Sequence, residues 1–432
     1  MVMGRNGPEW FHDIFPFTLP PRIPADSAQG TRRASPAIAI TDTTLRDGQQ
    51  GWRPFTVEES LRIYEVLVEM GGGGAILSTE LFLYTRRDRE VARKIAEYGH
   101  DYPKPVAWIR ASMEDLKLVL EAGLDEAVVL TSISDYHILL KLGLDRRRAF
   151  EKYLSVVEEA LKQGITVRCS LEDATRASLE RNIIPFVRRL VGLSERYGLP
   201  VKVKVADTLG VGLPFPDIPP PRGVPRLIRA IVDEAGLRGE WIEFHGHNDL
   251  GLAVANHLAA WLYGAAMSNC TLFGIGERAG NCPLEVMLIH YIGIRGEDGG
   301  ANPRAIAKAA RLMRSLGFRI PEFHPLVGEN AFRLRVLGIP YTVAITPYSG
   351  KAAVALWINA HASVAGLDLR VAKDDPRVDA VYREVLRVFD EEGRREPLAD
   401  EEMMEIVARH FPELAEKLGR AEAVEPRWGD GG

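Results

Sequence analysis

The sequence predicts an α/β protein built as a (β/α)8 TIM barrel with a C-terminal helical extension, and three observations lead there. Apolar, β-rich runs recur at 37–44, 75–81, 105–111, 126–134, 166–173, 201–207, 241–247 and 267–273. Each is followed by a stretch of helical periodicity, the alternation that builds a parallel sheet from βα units. The residues that close the runs are unusually polar, as expected where a barrel gathers its site at the C-terminal ends of its strands. An open doubly wound sheet is the rival. It would carry a glycine-rich phosphate turn after the first strand, where this chain reads Arg46-Asp47-Gly48-Gln49-Gln50. The run Gly71-Gly72-Gly73-Gly74 follows a helical segment and reads as a helix stop leading into the second strand.

Around this barrel, assigned to 37–296, lie two further regions. Residues 1–36 hold Pro16, Pro20, Pro21, Pro24 and Pro36, which deny them regular structure, while Trp10, Phe11, Phe15 and Phe17 suit packing onto the barrel or a partner subunit. Beyond 296 the alternation stops, and helical segments at about 303–316, 325–337, 351–361, 376–391 and 399–410 define an extension over 301–420. The last residues, 421–432, are polar and glycine-rich and read as a frayed tail.

Bulk properties narrow the function. A chain of 432 residues exceeds the roughly 250 of one barrel, which leaves room for the extension. A formal charge of -5 with 26% charged residues lacks the basic excess of nucleic-acid binders, so any phosphate-bearing substrate must meet local Arg or Lys clusters. Cys169, Cys270 and Cys282 are widely spaced and show neither a disulfide framework nor a paired-cysteine metal motif. With no apolar stretch of about 18 residues and no secretion signal at the start, the expectation is a cytoplasmic protein without a membrane partner.

Two strand exits carry most of the chemistry. The stretch from Ile40 to Gln50 reads as an alternating strand running into Gly48, with Arg46 and Asp47 at its exit. The stretch Trp241-Ile242-Glu243-Phe244-His245-Gly246-His247-Asn248-Asp249 places two histidines two apart, hence on one face, with Gly246 leaving backbone room between them. Asp47, His245 and His247 therefore suit a Lewis-acid divalent cation with open positions. Alone, a His-x-His is ordinarily a pair of polar residues and Asp before Gly a routine turn; their matching strand-end positions set that aside. Glu80, Arg110 and Glu172 also stand at strand exits, where each can neutralise or orient a bound anion or metal or act as a structural ion pair or cap.

These residues sit in motifs that closely resemble, in order and spacing, the DRE-TIM metallolyase family, which includes isopropylmalate, homocitrate and citramalate synthases. The motifs are Asp42-Thr43-Thr44-Leu45-Arg46-Asp47-Gly48-Gln49-Gln50, Ala206-Asp207-Thr208-Leu209-Gly210, His245-Gly246-His247-Asn248-Asp249-Leu250-Gly251 and Gly274-Ile275-Gly276-Glu277-Arg278-Ala279-Gly280-Asn281. The likeness covers about 37–335. Within the family, Ser134-Asp135-Tyr136-His137, Glu80-Leu81-Phe82-Leu83-Tyr84 and the aromatic, Pro-rich opening look most like Re-face citrate synthases.

The resemblance implies a Claisen-type condensation of acetyl-CoA with a small 2-keto acid, oxaloacetate before 2-oxoisovalerate or 2-oxoglutarate, with release of CoA. It implies Mg2+ or Mn2+, with Zn2+ the alternative, and a homodimer. It gives Arg46 the enolate and keto oxygens, Asp47, His245 and His247 the metal, and Asn281 an additional amide ligand or close neighbour. Ser170 and Glu172 match a strand-five pair, Thr208 a substrate-carboxylate hydroxyl, and His137 a loop histidine that approaches the keto acid. Cys282 can be read as a nucleophile, as in related lyases, or as a packed inert thiol. One departure stands out: where condensing relatives carry a histidine after Ser-Gly-Ile or Ala-Gly-Ile, this chain reads Val336-Leu337-Gly338-Ile339-Pro340-Tyr341. Proton transfer then falls to Tyr341, Glu172, His324 or a water. The alternatives are a carbon–carbon lyase of the HMG-CoA lyase type and a metal- or metabolite-binding protein without the relay.

Overall fold

In the structure, a computed structural model, residues 37–328, 343–391 and 393–417 are described. The chain divides into two compact units, Met1–Phe318 and Arg319–Gly432. In the first, eight parallel strands pair in chain order, and β1 hydrogen-bonds β8 to close the barrel. They are β1 (Ala39–Asp42), β2 (Ile76–Leu81), β3 (Lys104–Arg110), β4 (Glu126–Ser132), β5 (Thr166–Glu172), β6 (Val201–Asp207), β7 (Ile242–Gly246) and β8 (Met267–Cys270). Helices follow them: α1 (Val57–Gly71), α2 (Arg86–Tyr98), α3 (Met113–Ala122), α4 (Arg146–Lys162), α5 (Ile184–Tyr197), α6 (Val224–Asp233), α7 (Ala253–Leu262) and α8 (Leu284–Arg295). The glycine run stops α1 at Gly71 and releases the chain into β2. Helix α9 (Ala305–Ser315) also belongs to this unit, where Lys308 reaches Glu69 on α1 at 2.6 Å.

Strand β1 is shorter than the expected run to Gly48. Asp42 Oδ1 accepts from the Thr44 amide at 3.1 Å and the Thr44 hydroxyl at 2.5 Å, and the Thr43 carbonyl takes the Asp47 amide at 2.7 Å. These local side-chain bonds outcompete the ladder, so Thr44–Gly48 coils into a wide helical turn that carries Arg46 and Asp47.

Outward-facing strand residues such as Val167, Cys169, Leu171, Val201, Val203 and Val205 are fully buried beneath the helices, as expected of a parallel sheet covered on its outer face. The interior is divided. Val106, Trp108 and Val128 form an apolar plug on one side. The rest is occupied by charge: Arg168 is bonded to Glu243 and, at 2.5 Å, to Glu126. Lys204 is bonded to Glu80 and lies 3.4 Å from Glu243. Thr43 and Thr41 hydroxyls complete the carboxylates of Glu80 and Glu243 at 2.9 and 3.1 Å. Each buried charge thus has an opposite partner, and Glu80, Glu243 and Lys204 have further polar contacts, the condition under which burial of ions is tolerable.

In the second unit α10 (Lys351–Val364), α11 (Pro376–Asp390) and α12 (Asp400–Ala408) surround a core of Val354, Trp357, Ile358, Val381, Val385 and Phe411. Of the helix expected over 325–337, residues 325–328 form a turn and bend, and 329–342 lie outside the described residues. The arm over 1–36 and the tail over 421–432 lie outside them too.

Replacing Lys204 with Met leaves Glu80 and Glu243 facing one another without their shared cation. The expected loss is about 3–5 kcal/mol of stability, read from urea unfolding followed by circular dichroism; a loss under about 1 kcal/mol refutes the account of the interior.

Candidate active site

The exits of β1, β7 and β8 meet at one point. His245 stands on β7 and His247 one residue beyond it, and their Nε2 atoms approach to 3.4 Å. Asp47 Oδ2 lies 3.4 Å from His245 Nε2 and 3.8 Å from His247 Nε2. Asn281 is delivered by the loop after β8, which pairs with the chain at His247, and its amide donates to Asp47 Oδ2 at 2.6 Å. A side chain at Gly276 would put its Cβ 2.8 Å from Asn281 Cγ, so glycine there makes room for the amide.

The protonation states suit a cation. Burial alone would raise the Asp47 carboxyl, but the Arg46 guanidinium, with the Asn281 hydrogen bond, holds it well below the usual carboxylate range. Burial pushes both imidazoles below 6.5, against the pull of Asp47. His245 Nδ1 lies 2.8 Å from Asn269 Oδ1; an amide oxygen only accepts, so Nδ1 carries the proton and Nε2 presents its lone pair. The buried Asn281 Oδ1 has no hydrogen-bond partner. One carboxylate, two neutral imidazoles and a spare amide oxygen fit a divalent cation that keeps positions for substrate oxygens. Arg46 lies beside them, its guanidinium 3.4 Å from Asp47 and 4.3 Å above the Trp108 ring.

A second group gathers at the exits of β4, β5 and β6. Glu172 accepts from Ser132 and from Lys141 at 3.0 Å, and His137 Nδ1 lies 3.0 Å from it. Burial would raise this carboxyl, but the bonds from His137, Ser132 and Lys141 bring it down to about 2. The Asp173 amide donates to the Thr208 hydroxyl at 2.8 Å, which leaves the Thr208 O–H free to donate. Ser170 is buried on the same strand face as Glu172. Glu80 and Arg110 are both held in ion pairs: Glu80 inside the barrel with Lys204, Arg110 at the rim with Asp115 at 2.8 Å and above the Tyr84 ring. Cys282 is fully buried and its thiol is pushed well up by that burial. His324, in the second unit, has Nδ1 2.7 Å from the Pro325 carbonyl. Pro340 and Tyr341 lie outside the described residues.

Residues 37–313 match the family described as HMGL-like. The chain belongs to the HMGL-like family. It is 38% identical to a citrate (Re)-synthase of Syntrophus aciditrophicus, over 93% of this chain and 67% of the relative. It is 37% identical to a citrate (Re)-synthase of Clostridium kluyveri, over 95% of this chain and 96% of the relative. The hydroxymethylglutaryl-CoA lyase structure from Pseudomonas aeruginosa superposes with a TM-score of 0.53 at 19% identity, covering 66% of this chain and 95% of that one, and shows the shared barrel.

Reasoning from sequence missed three parts of this HMGL-like site: Asn269, which sets the His245 tautomer; Trp108, on which Arg46 rests; and Ser132 with Lys141, which hold Glu172. Strand parity was the available signal for Trp108, which lies two residues from Arg110 on β3 and so shares its face.

Two outcomes follow. Asn269→Ala is expected to weaken divalent-metal binding about 10–100-fold by freeing the His245 tautomer; unchanged affinity by calorimetry removes that role. In metal-free protein, the ring-proton resonances of His245 and His247 are expected to titrate below 6.5, because a lowered value keeps each imidazole neutral as the pH falls past the ordinary midpoint. Midpoints at or above 6.5 contradict the burial argument.

Proposed function

We propose that the protein is a metal-dependent acyltransferase that condenses acetyl-CoA with a small 2-keto acid and releases CoA, with oxaloacetate as acceptor and citrate as product. The observation that carries this reading is the convergence of Asp47, His245 and His247 beside Arg46, in a chain similar along nearly its whole length to citrate (Re)-synthases. A divalent cation, Mg2+ or Mn2+ before Zn2+, would be held by Asp47, His245, His247 and Asn281 and would lend Lewis acidity toward the acceptor's keto and carboxylate oxygens.

The chain's own groups divide the remaining work. Arg46 is only 12% exposed, so its charge is little screened, and it stabilises the negative oxygen of the acetyl enolate. Thr208, its oxygen already accepting from Asp173, turns its O–H to the acceptor's carboxylate. Glu172 is a weak base because the groups around it favour the anion; it faces His137, whose imidazole takes the proton from the acetyl methyl. Ser170 lines the acceptor pocket, and Glu80 and Arg110 set its charge from within the barrel and from the rim. Water then cleaves the thioester. In this reading 37–296 is the catalytic barrel and 301–420 an extension, and the enzyme is a cytoplasmic homodimer without nucleic-acid or membrane partners. The -5 charge supports that reading, and no helix among the described residues is long and apolar enough to cross a membrane.

Purified protein with Mg2+ or Mn2+ is expected to release free thiol from acetyl-CoA when oxaloacetate is added. Absence of release with oxaloacetate, pyruvate, 2-oxoglutarate and 2-oxoisovalerate, while metal remains bound, overturns the proposal. Thr208→Ala loses a hydrogen bond to a charged group, about 1.5–3 kcal/mol, so KM for the keto acid is expected to rise roughly 10- to 100-fold; an unchanged KM removes its role. Sedimentation at twice the 47.9 kDa chain mass is expected, and a monomer at micromolar concentration rejects the dimer.

A further inference from the structure

Cys270, Cys282 and His257 come together outside the site just described. Cys270 ends β8, and Cys282 follows Asn281 in the loop beyond. A parallel bridge between Thr271 and Pro283, with the Thr271 amide donating to the Cys282 carbonyl at 3.1 Å, lays the two cysteines side by side. His257 reaches them from α7, its Nδ1 3.9 Å from Cys270 Sγ. The three donor atoms lie within 4.8 Å of one another, and all three residues are fully buried. Ser268 Oγ lies on the same group, 2.6 Å from His257 Nδ1 and 3.2 Å from Cys270 Sγ.

We propose that His257 Nδ1, Cys270 Sγ and Cys282 Sγ form a three-donor structural site for a thiophilic d10 cation, Zn2+ foremost, in which the cation would take the place of the 2.6 Å contact between the Ser268 hydroxyl and His257 Nδ1. Tetrahedral zinc with Zn–S near 2.3 Å and Zn–N near 2.1 Å sets its donors roughly 3.6–3.8 Å apart, close to the 3.9 Å between imidazole and Cys270. Two thiolates neutralise a divalent charge, so the filled site would bury no net charge. Its donors are soft, whereas Asp47 and two imidazoles with positions for oxygen suit a harder cation, so the two sites select different ions. Binding releases two thiol protons and forms two metal–sulfur bonds without redox change. The site would tie β8, α7 and the Asn281 loop together. A Cβ at Gly246, between the two ligand histidines, would come within 3.3 Å of His257 Nε2, so the same imidazole also packs against the His245–His247 strand.

The test is to produce the full chain in medium supplemented with Co2+, so that the ion is present as the protein folds, and to read metal content and the near-ultraviolet thiolate-to-cobalt charge-transfer band. Wild type is expected to hold two cobalt ions per chain and show the band. Cys282→Ala and Cys270→Ala should each lose one ion and most of the band, while His245→Ala loses one ion and keeps the band. A wild-type protein with cobalt but no thiolate band overturns the proposal, as does a band undiminished in both cysteine variants or a disulfide between the two cysteines in protein purified under reducing conditions. The wild-type spectrum decides by itself where a variant fails to fold, and none of these readings depends on catalytic turnover.

Discussion

The buried chain of charge from Arg168 through Glu243, Lys204 and Glu80 to Asn269 is the constraint on which the mouth of the barrel depends. Lys204 lies 3.3 Å from Asn269 Oδ1, and the Asn269 amide donates to Thr41 at 3.0 Å and to Glu80 at 3.3 Å. The amide is thereby fixed with its oxygen toward His245. Reversed, it would offer an N–H to an imidazole that could then accept only through Nδ1, and the proton would move to the nitrogen facing Asp47. An interior that looks costly by comparison with an apolar plug thus decides which nitrogen points at the metal position.

The two charged groups at the mouth are built on opposite logics. Around Asp47, burial disfavours both carboxylate and imidazolium, yet the Arg46 cation keeps the carboxylate ionised while the imidazoles stay neutral. Arg46 is itself placed by stacking on Trp108, which ties Asp47 to the apolar half of the barrel interior. Around Glu172, the Ser132 hydroxyl and the Lys141 ammonium donate to one carboxylate, with His137 Nδ1 3.0 Å away, which favours its anion and weakens it as a base. Separation of an anionic ligand set from an oriented imidazole is what a reaction needs when one group activates an acceptor and another moves a proton.

Much of this was legible in the sequence because period and position carry physical meaning. The eight strands appear within a few residues of their predicted bounds, since most outward faces are apolar, as with Val201, Val203 and Val205 on β6, and the glycines that stop helices are where they should be. The proximity of Asp47 to His245 and His247 follows from strand-end position alone. What escaped depends on side chains that talk across strands. Strand β1 ends early because Asp42 bonds Thr44 locally, a choice hidden in a run that alternates well. Arg168, Lys204 and Glu243 sit within strands and look like interruptions of apolar patterns until closure of the barrel makes them neighbours. Cys270 and Cys282 look unrelated in spacing and become adjacent only through the Thr271–Pro283 bridge.

The proline at position 340 gains meaning from this arrangement. Condensing relatives that the sequence resembles place a histidine there, and a proline has no group that can carry a proton. If acetyl deprotonation is run from within the barrel, the imidazole of His137 is a candidate base, its Nδ1 3.0 Å from a Glu172 carboxylate that Lys141 and Ser132 hold. Lys141 has a part in this reading beyond packing: its charge, 48% exposed, adds to the Ser132 hydroxyl in keeping Glu172 anionic.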